Sequence, residues 1–276
     1  MLAIVIPLLG LSVAAGFLGA IFGLGGGVLI VPALTLLFHI PIHVAIGASL
    51  IAVVATSAGA SAAFVRDGWT NLRIAMALEV ATVTGALVGA LLAGVLSTRV
   101  LEGLFALALV ISASGASFKG RARDVVPPDD ALAGRLRLGS TFPGADGAPV
   151  AYGVRNLPGG AAVMLVAGIV SGMLGIGAGV LKVAAMDSVM GLPLKVSSAT
   201  SNFMIGVTAG AGALVFLSRG DVSTTVAAPV ALGVVAGAVV GGRILVRAQV
   251  RLLRVAFVVV LLAIAGYMGW HAWTGS

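Results

Sequence analysis

The stretch Gly19-Ala-Ile-Phe-Gly-Leu-Gly-Gly-Gly-Val-Leu-Ile-Val-Pro-Ala-Leu34 decides the fold, because the chain carries a second copy of it. A shift of 152 residues places Gly23, Gly25 and Gly27 on Gly175, Gly177 and Gly179, and Val28-Leu29 on Val180-Leu181. The same register holds, without a gap, from Gly16 on Gly168 to Gly89 on Gly241. Pro41 meets Pro193, Ser49 meets Ser201, Thr56 meets Thr208, Phe64 meets Phe216 and Gly68 meets Gly220. Chance similarity between apolar segments does not keep proline, phenylalanine and loop glycine in step, so the chain is two copies of one unit.

What surrounds the motif identifies its solvent. The chain has 276 residues, of which 60% are hydrophobic and 9% charged. A soluble domain carries about 25% charged residues, and no core of this size hides that much apolar surface from water. Forty glycines suit helices that approach closely in lipid. Apolar segments fall near 1–22, 26–39, 43–65, 71–97 and 99–118, and again near 159–174, 178–191, 195–217, 222–246 and 252–273. Most approach the ~20 residues that span a bilayer; the segment after each glycine run is shorter. The first segment has no basic region ahead of it and reads as a retained helix rather than a signal peptide. There is no cysteine, hence no disulfide framework.

The expected fold is therefore an all-α polytopic membrane protein, with two inverted-topology helical repeats and glycine-rich broken or re-entrant helices. The first repeat covers 1–118, a cytoplasmic loop 119–158, and the second repeat 159–276. An odd number of crossings per repeat, duplicated head to tail, inverts the second copy, and inverted repeats place substrate sites near the midplane. Thirteen of the sixteen basic residues then fall on one face. That bias makes the face cytoplasmic and puts both termini outside. In the loop, Arg135-Leu-Arg-Leu138 alternates and Pro143-Gly-Ala-Asp-Gly147 is turn-rich, which permits a small hairpin; an ordered linker lying on the cytoplasmic surface is the plainer reading. The loop has no nucleic-acid motif, and the basic charge records orientation.

Candidate chemistry starts at the glycine breaks. Gly25, Gly26 and Gly27, with Gly177, Ala178 and Gly179, are placed to open two helices toward one cavity, where N–H groups and dipole ends favour an anion; tight packing is the alternative role for these glycines. Lys182 lies at the start of a short membrane segment, opposite Ile30 of the first copy. A charge at such a position marks a substrate pathway by default, against snorkelling or a structural pair with Asp187. Ser49, Thr200, Ser201 and Asn202 offer hydroxyls and an amide for oxyanion oxygens, while Ser197 and Ser198 read as helix caps. Glu79 and Asp187 are the acids for a coupling proton, although nearby Arg73 argues for a surface position for Glu79. His39 and His43 flank a turn and read as interface residues. No metal cluster, nucleophile triad, Walker motif or cofactor site is visible.

The two glycine motifs, Gly19–Leu34 and Gly172-Met-Leu-Gly-Ile-Gly-Ala-Gly-Val-Leu-Lys-Val183, together with Ala199-Thr-Ser-Asn-Phe-Met204, resemble the paired signature of the TauE/SafE sulfite exporter family. Ala178 and Ala184 stand where the family's second motif usually has Gly and Pro. The resemblance implies secondary export of a small sulfur-containing anion, sulfite or an organosulfonate, across the plasma (inner) membrane with proton coupling. A carboxylate transporter or an anion channel is the alternative. The expected partners are the anion and the lipid bilayer, with no nucleic acid.

Overall fold

In lipid every backbone N–H and C=O must find its partner within the chain, so apolar segments become helices. The computed structural model describes residues 2–22, 26–117, 129–143, 148–245 and 250–274. The first half holds α1 (Leu2–Phe22), α2 (Gly27–Phe38), α3 (Ile42–Arg66), α4 (Leu72–Ala93) and α5 (Thr98–Ser117). The second holds α7 (Leu157–Leu174), α8 (Gly179–Ala184), α9 (Leu194–Ser218), α10 (Thr224–Leu245) and α11 (Val250–Thr274). Between them lie α6 (Ala131–Arg135) and an antiparallel hairpin of β1 (Ser140–Pro143) and β2 (Pro149–Tyr152). The chain is thus an all-α polytopic membrane protein. Among the described residues, α3, α4, α7 and α9 are each long and apolar enough to cross a bilayer. At ~1.5 Å per residue, the 12 residues of α2 reach only about 18 Å, short of the ~30 Å hydrocarbon core.

Two glycine seams knit the halves together. On α4 and α7, a Cβ at Gly168 would strike the Thr82 carbonyl, one at Gly172 the Ala86 carbonyl, and one at Gly85 the Leu165 carbonyl. On α1 and α10, a Cβ at Gly16 would strike the Val234 carbonyl and one at Gly237 the Val13 carbonyl. These contacts obey the sequence shift. Gly16 against Val234 maps onto Gly168 against Thr82, and Gly237 against Val13 onto Gly85 against Leu165. Each half therefore lends its first helix to the other half's fourth. With no hydrophobic drive between helices in lipid, such close backbone approach is the main source of attraction.

The C-terminal end of α4 is tied down by Arg219 and His43. Arg219 donates from Nη1 to the Ala90 carbonyl at 2.7 Å and from Nη2 to Leu91 at 3.0 Å. His43 Nε2 lies 3.0 Å from the Ala93 carbonyl. These side chains meet carbonyls of the last helical turn, and the Arg219 cation sits at the negative end of the helix dipole.

The segment between the halves is more than a linker. Asp130 caps α6 by accepting from the Ala133 N–H at 2.8 Å, and also accepts from Asn156 at 2.7 Å. Those bonds hold its carboxyl below the usual range. Ala133, Leu138, Tyr152 and Val154 are buried in one cluster with Ile74, Leu78, Met186 and Met204. The alternating Arg135–Leu138 is not a strand: α6 ends there, and Arg137 takes a left-handed φ of 50°. The hairpin starts two residues later, and its turn, Gly144–Gly147, lies outside the described residues.

Candidate functional site

The two glycine breaks meet. Gly26 opens α2 with φ 74°, and Ala178 opens α8 with φ 47°. Ser49, in the first third of α3, donates to the Gly175 carbonyl at 2.8 Å and lies 3.4 Å from the Gly27 carbonyl. A Cβ at Gly27 would stand 2.6 Å from the Gly175 oxygen and 2.8 Å from Ser49 Oγ. Ser201, the repeat mate of Ser49, lies 3.4 Å from the carbonyl of Gly179, the repeat mate of Gly27. Gly25 lies outside the described residues. Ala178 pays backbone strain that glycine would not, at a position buried to 5% exposure.

Next to this junction is a buried polar chain. Lys182 is fully buried. Its ammonium donates to Thr208 Oγ1 at 2.6 Å and to the Met204 carbonyl at 3.3 Å, both on α9. Thr208 Oγ1 is also 2.8 Å from Glu79 Oε1, reaching in from α4, and 2.7 Å from the Met204 carbonyl. Ammonium and carboxylate do not pair directly; the threonine hydroxyl stands between them. Glu79 Oε2 is buried without a hydrogen-bond partner. Arg73 does not draw Glu79 to the surface, because it is itself exposed and donates to the Arg137 carbonyl at 3.0 Å. Glu79 lies about two helical turns further on and faces α9.

The remaining candidates divide by neighbourhood. Thr200 accepts from the Asn71 N–H at 3.1 Å, at the start of α4. Asn202 donates its amide to the Ser198 carbonyl at 3.1 Å, while its own carbonyl accepts from Ser57. Asp187 lies in a π turn, Ala185–Val189, that continues α8. Ser197 and Ser198 do not cap α9. Pro193 is its N-cap, since its fixed φ starts the helix early, and Ser197 Oγ is buried inside without a partner.

Two positions stand out only in three dimensions. Thr208 is the hub of the Lys182–Glu79 chain; its register with Thr56 was a visible signal, but its partners were not. Asn71 caps α4 through Ile74 N–H and donates to the Leu138 carbonyl and to Tyr152 Oη, both at 2.8 Å. It thereby fastens the hairpin segment to α4 and, through Thr200, to α9. Burial holds the Tyr152 hydroxyl above its usual pKa, so it stays a neutral partner. An apolar cavity walled by Val28, Ala108, Ser112, Met173, Ala178 and Gly179 adjoins the glycine junction, and Lys182 is not part of its wall.

A family profile described as Sulfite exporter TauE/SafE matches residues 8–268. The chain is similar to a probable membrane transporter protein, YunE, of Bacillus subtilis, with 30% identity over 241 residues, covering 85% of this chain and 84% of that one. It is also similar to the probable membrane transporter protein YdhB of the same organism, with 28% identity over 233 residues, covering 84% and 85%. No solved structure matches the chain. The protein belongs to the TauE/SafE sulfite exporter family and is a membrane transporter.

Proposed function

We propose that this transporter moves a small sulfur-containing anion, sulfite or an organosulfonate, out of the cell as a proton-coupled secondary carrier, with Lys182 as the cation that attracts it. The observation that carries the reading is the burial of Lys182 beside the junction of the two glycine breaks. A buried ammonium is costly unless it is matched by acceptors or by an anion. Lys182 has three N–H donors and two protein acceptors, Thr208 and Met204; a substrate oxygen takes the third. Gly27, Ser49, Gly179 and Ser201 build the glycine junction just ahead of Lys182, from α2, α3, α8 and α9. Lys182 has no exposure, so this conformation is closed, and loading requires α8 and α9 to part.

In this reading the protein sits in the plasma membrane, the 119–158 segment is cytoplasmic, both termini are outside, and the halves are inverted. The exchange of first and fourth helices between the halves supports a two-fold arrangement, and an odd-crossing repeat related by such an axis is inverted. The test is sulfite uptake into proteoliposomes, with and without an imposed pH gradient. Saturable flux that responds to the gradient is the expected result. Gradient-independent flux makes the protein a channel, and flux of oxalate or acetate in place of sulfite reassigns the substrate to carboxylates.

A further inference from the structure

The hydroxyl of Thr208 has three close oxygen or nitrogen neighbours but only one proton. It lies 2.6 Å from Lys182 Nζ, 2.8 Å from Glu79 Oε1 and 2.7 Å from the Met204 carbonyl. A hydroxyl donates once and accepts twice. Lys182 fills one lone pair. With Glu79 ionised, its carboxylate and the Met204 carbonyl compete for the single hydroxyl proton, and one contact goes unfilled. With Glu79 protonated, its O–H fills the second lone pair, Thr208 donates to Met204, and all three contacts are satisfied. Side chains that need not move therefore accommodate both protonation states of Glu79.

Charge decides when each state applies. Empty, the site holds the Lys182 cation and, with Glu79 ionised, a matching anion one hydroxyl away. An arriving monoanion adds a second negative charge to a buried place, and an unbalanced buried charge is costly. One proton on Glu79 removes the excess. We infer that Glu79 is the proton carrier of the cycle, taking one proton from the side that delivers the anion and releasing it with the anion on the other side. Anion and proton then move in the same direction, one for one. This rests on Lys182 as the anion site. It adds a sign to the coupling: export runs down the anion's own concentration gradient and carries a proton out with it, so outward flux slows as the outside is acidified.

The rest of the surroundings leaves this role to Glu79. From the elements packed on α4, α7 carries no titratable group, and Lys195 on α9 is engaged 5.1 Å over the Trp69 ring. Arg219 is bound at the far end of α4, and Arg73 at the Arg137 carbonyl. Asp129 accepts from Val154, and Asp130 from Ala133 and Asn156. Asp187 sits on the π turn beyond Lys182. The fold also supplies its own control. The 152-residue shift maps Lys182, Thr208 and Glu79 onto Ile30, Thr56 and Ala231. The same helices pack there without a charge, so the charges are not needed to build the fold.

The test is calorimetric titration of the purified full chain with methanesulfonate, which stays a monoanion, in two buffers of different protonation enthalpy. The expected result is uptake of one proton per anion bound by the wild type. Glu79→Gln, which keeps the side chain neutral, is expected to bind with no proton uptake and with an affinity that does not change with pH. Saturable binding without proton uptake in the wild type, or uptake retained in Glu79→Gln, overturns the inference and leaves Lys182 as the anion site. Absence of binding by methanesulfonate and sulfite alike overturns both.

Discussion

Ser49 donates to the Gly175 carbonyl at 2.8 Å, so one hydroxyl on the first half's third helix closes the glycine turn of the second half. Both residues are buried, and no water replaces a lost partner there. Ser49→Ala is expected to lower stability by about 1–3 kcal/mol, the cost of an unfilled buried carbonyl. Thermal unfolding in micelles reads this as a lower Tm. Ser114→Ala, which removes an exposed hydroxyl bonded within its own helix, serves as the control and stays within about 0.5 kcal/mol of the wild type.

Ala178 holds a left-handed φ of 47°. Glycine relieves ~1–2 kcal/mol of strain there and loses ~0.4–1 kcal/mol through the unfolded chain. Ala178→Gly is therefore expected to stabilise the protein by roughly 0.5–1 kcal/mol, seen as a small rise in Tm. A fall would mean that the methyl group packs usefully against its neighbours.

Lys182→Met leaves Glu79 inside the bundle without its cation. The single substitution is expected to cost about 3–5 kcal/mol and to abolish anion binding. The double variant Lys182→Met/Glu79→Gln is expected to recover most of the stability and none of the binding, because the repeat mates Ile30 and Ala231 show the fold tolerating neutral residues there. Stability and binding measured on the same three preparations separate a structural pair from a substrate site. If the double variant still binds sulfite, Lys182 is not the anion's partner.

The glycine seams predict a sharp contrast. Gly168→Leu drives a side chain into the Thr82 carbonyl and is expected to cost about 3 kcal/mol or more. Gly10→Ala, with nothing within 4 Å of the added methyl, is expected to be neutral. The monodisperse fraction after solubilisation reports both.

Asp67 and Ser218 lie at matching ends of α3 and α9 and are both solvent-accessible. Inverted halves put them on opposite sides of the membrane. In a chain without native cysteine, a membrane-impermeant thiol reagent added to whole cells should label Ser218→Cys and spare Asp67→Cys. Labelling of both from the same side would refute the inversion.

Most of the helix pattern was legible in the sequence, because in lipid an apolar run has almost no alternative to a helix. The segments read at 43–65 and 195–217 appear as Ile42–Arg66 and Leu194–Ser218. Lys182 was legible as well, since a lone cation in an apolar run announces itself. Its partners were not. Thr208 and Glu79 lie 26 and 103 residues away in sequence, and only the packing of α8, α9 and α4 brings them together. The hairpin segment is faint in the sequence for a similar reason. Its strands are four residues each and owe their stability to Asn71 and to a cluster formed with α4. Serine favours a cap position, which points to Ser197, but Pro193 fixes the boundary one turn earlier.

The exchange of helices between the halves also has a meaning in time. Gly16 rests against Val234, so α1 has no finished surface to settle on until α10 has been made. At ~5–20 residues per second, synthesis of the intervening chain takes roughly ten to forty seconds. Throughout that interval α1 waits in the bilayer with its glycine face bare. Neither half alone contains the mate for its own first helix, so a chain truncated before α10 should be recognised by the cell's quality control as unfinished, however well its individual helices have inserted.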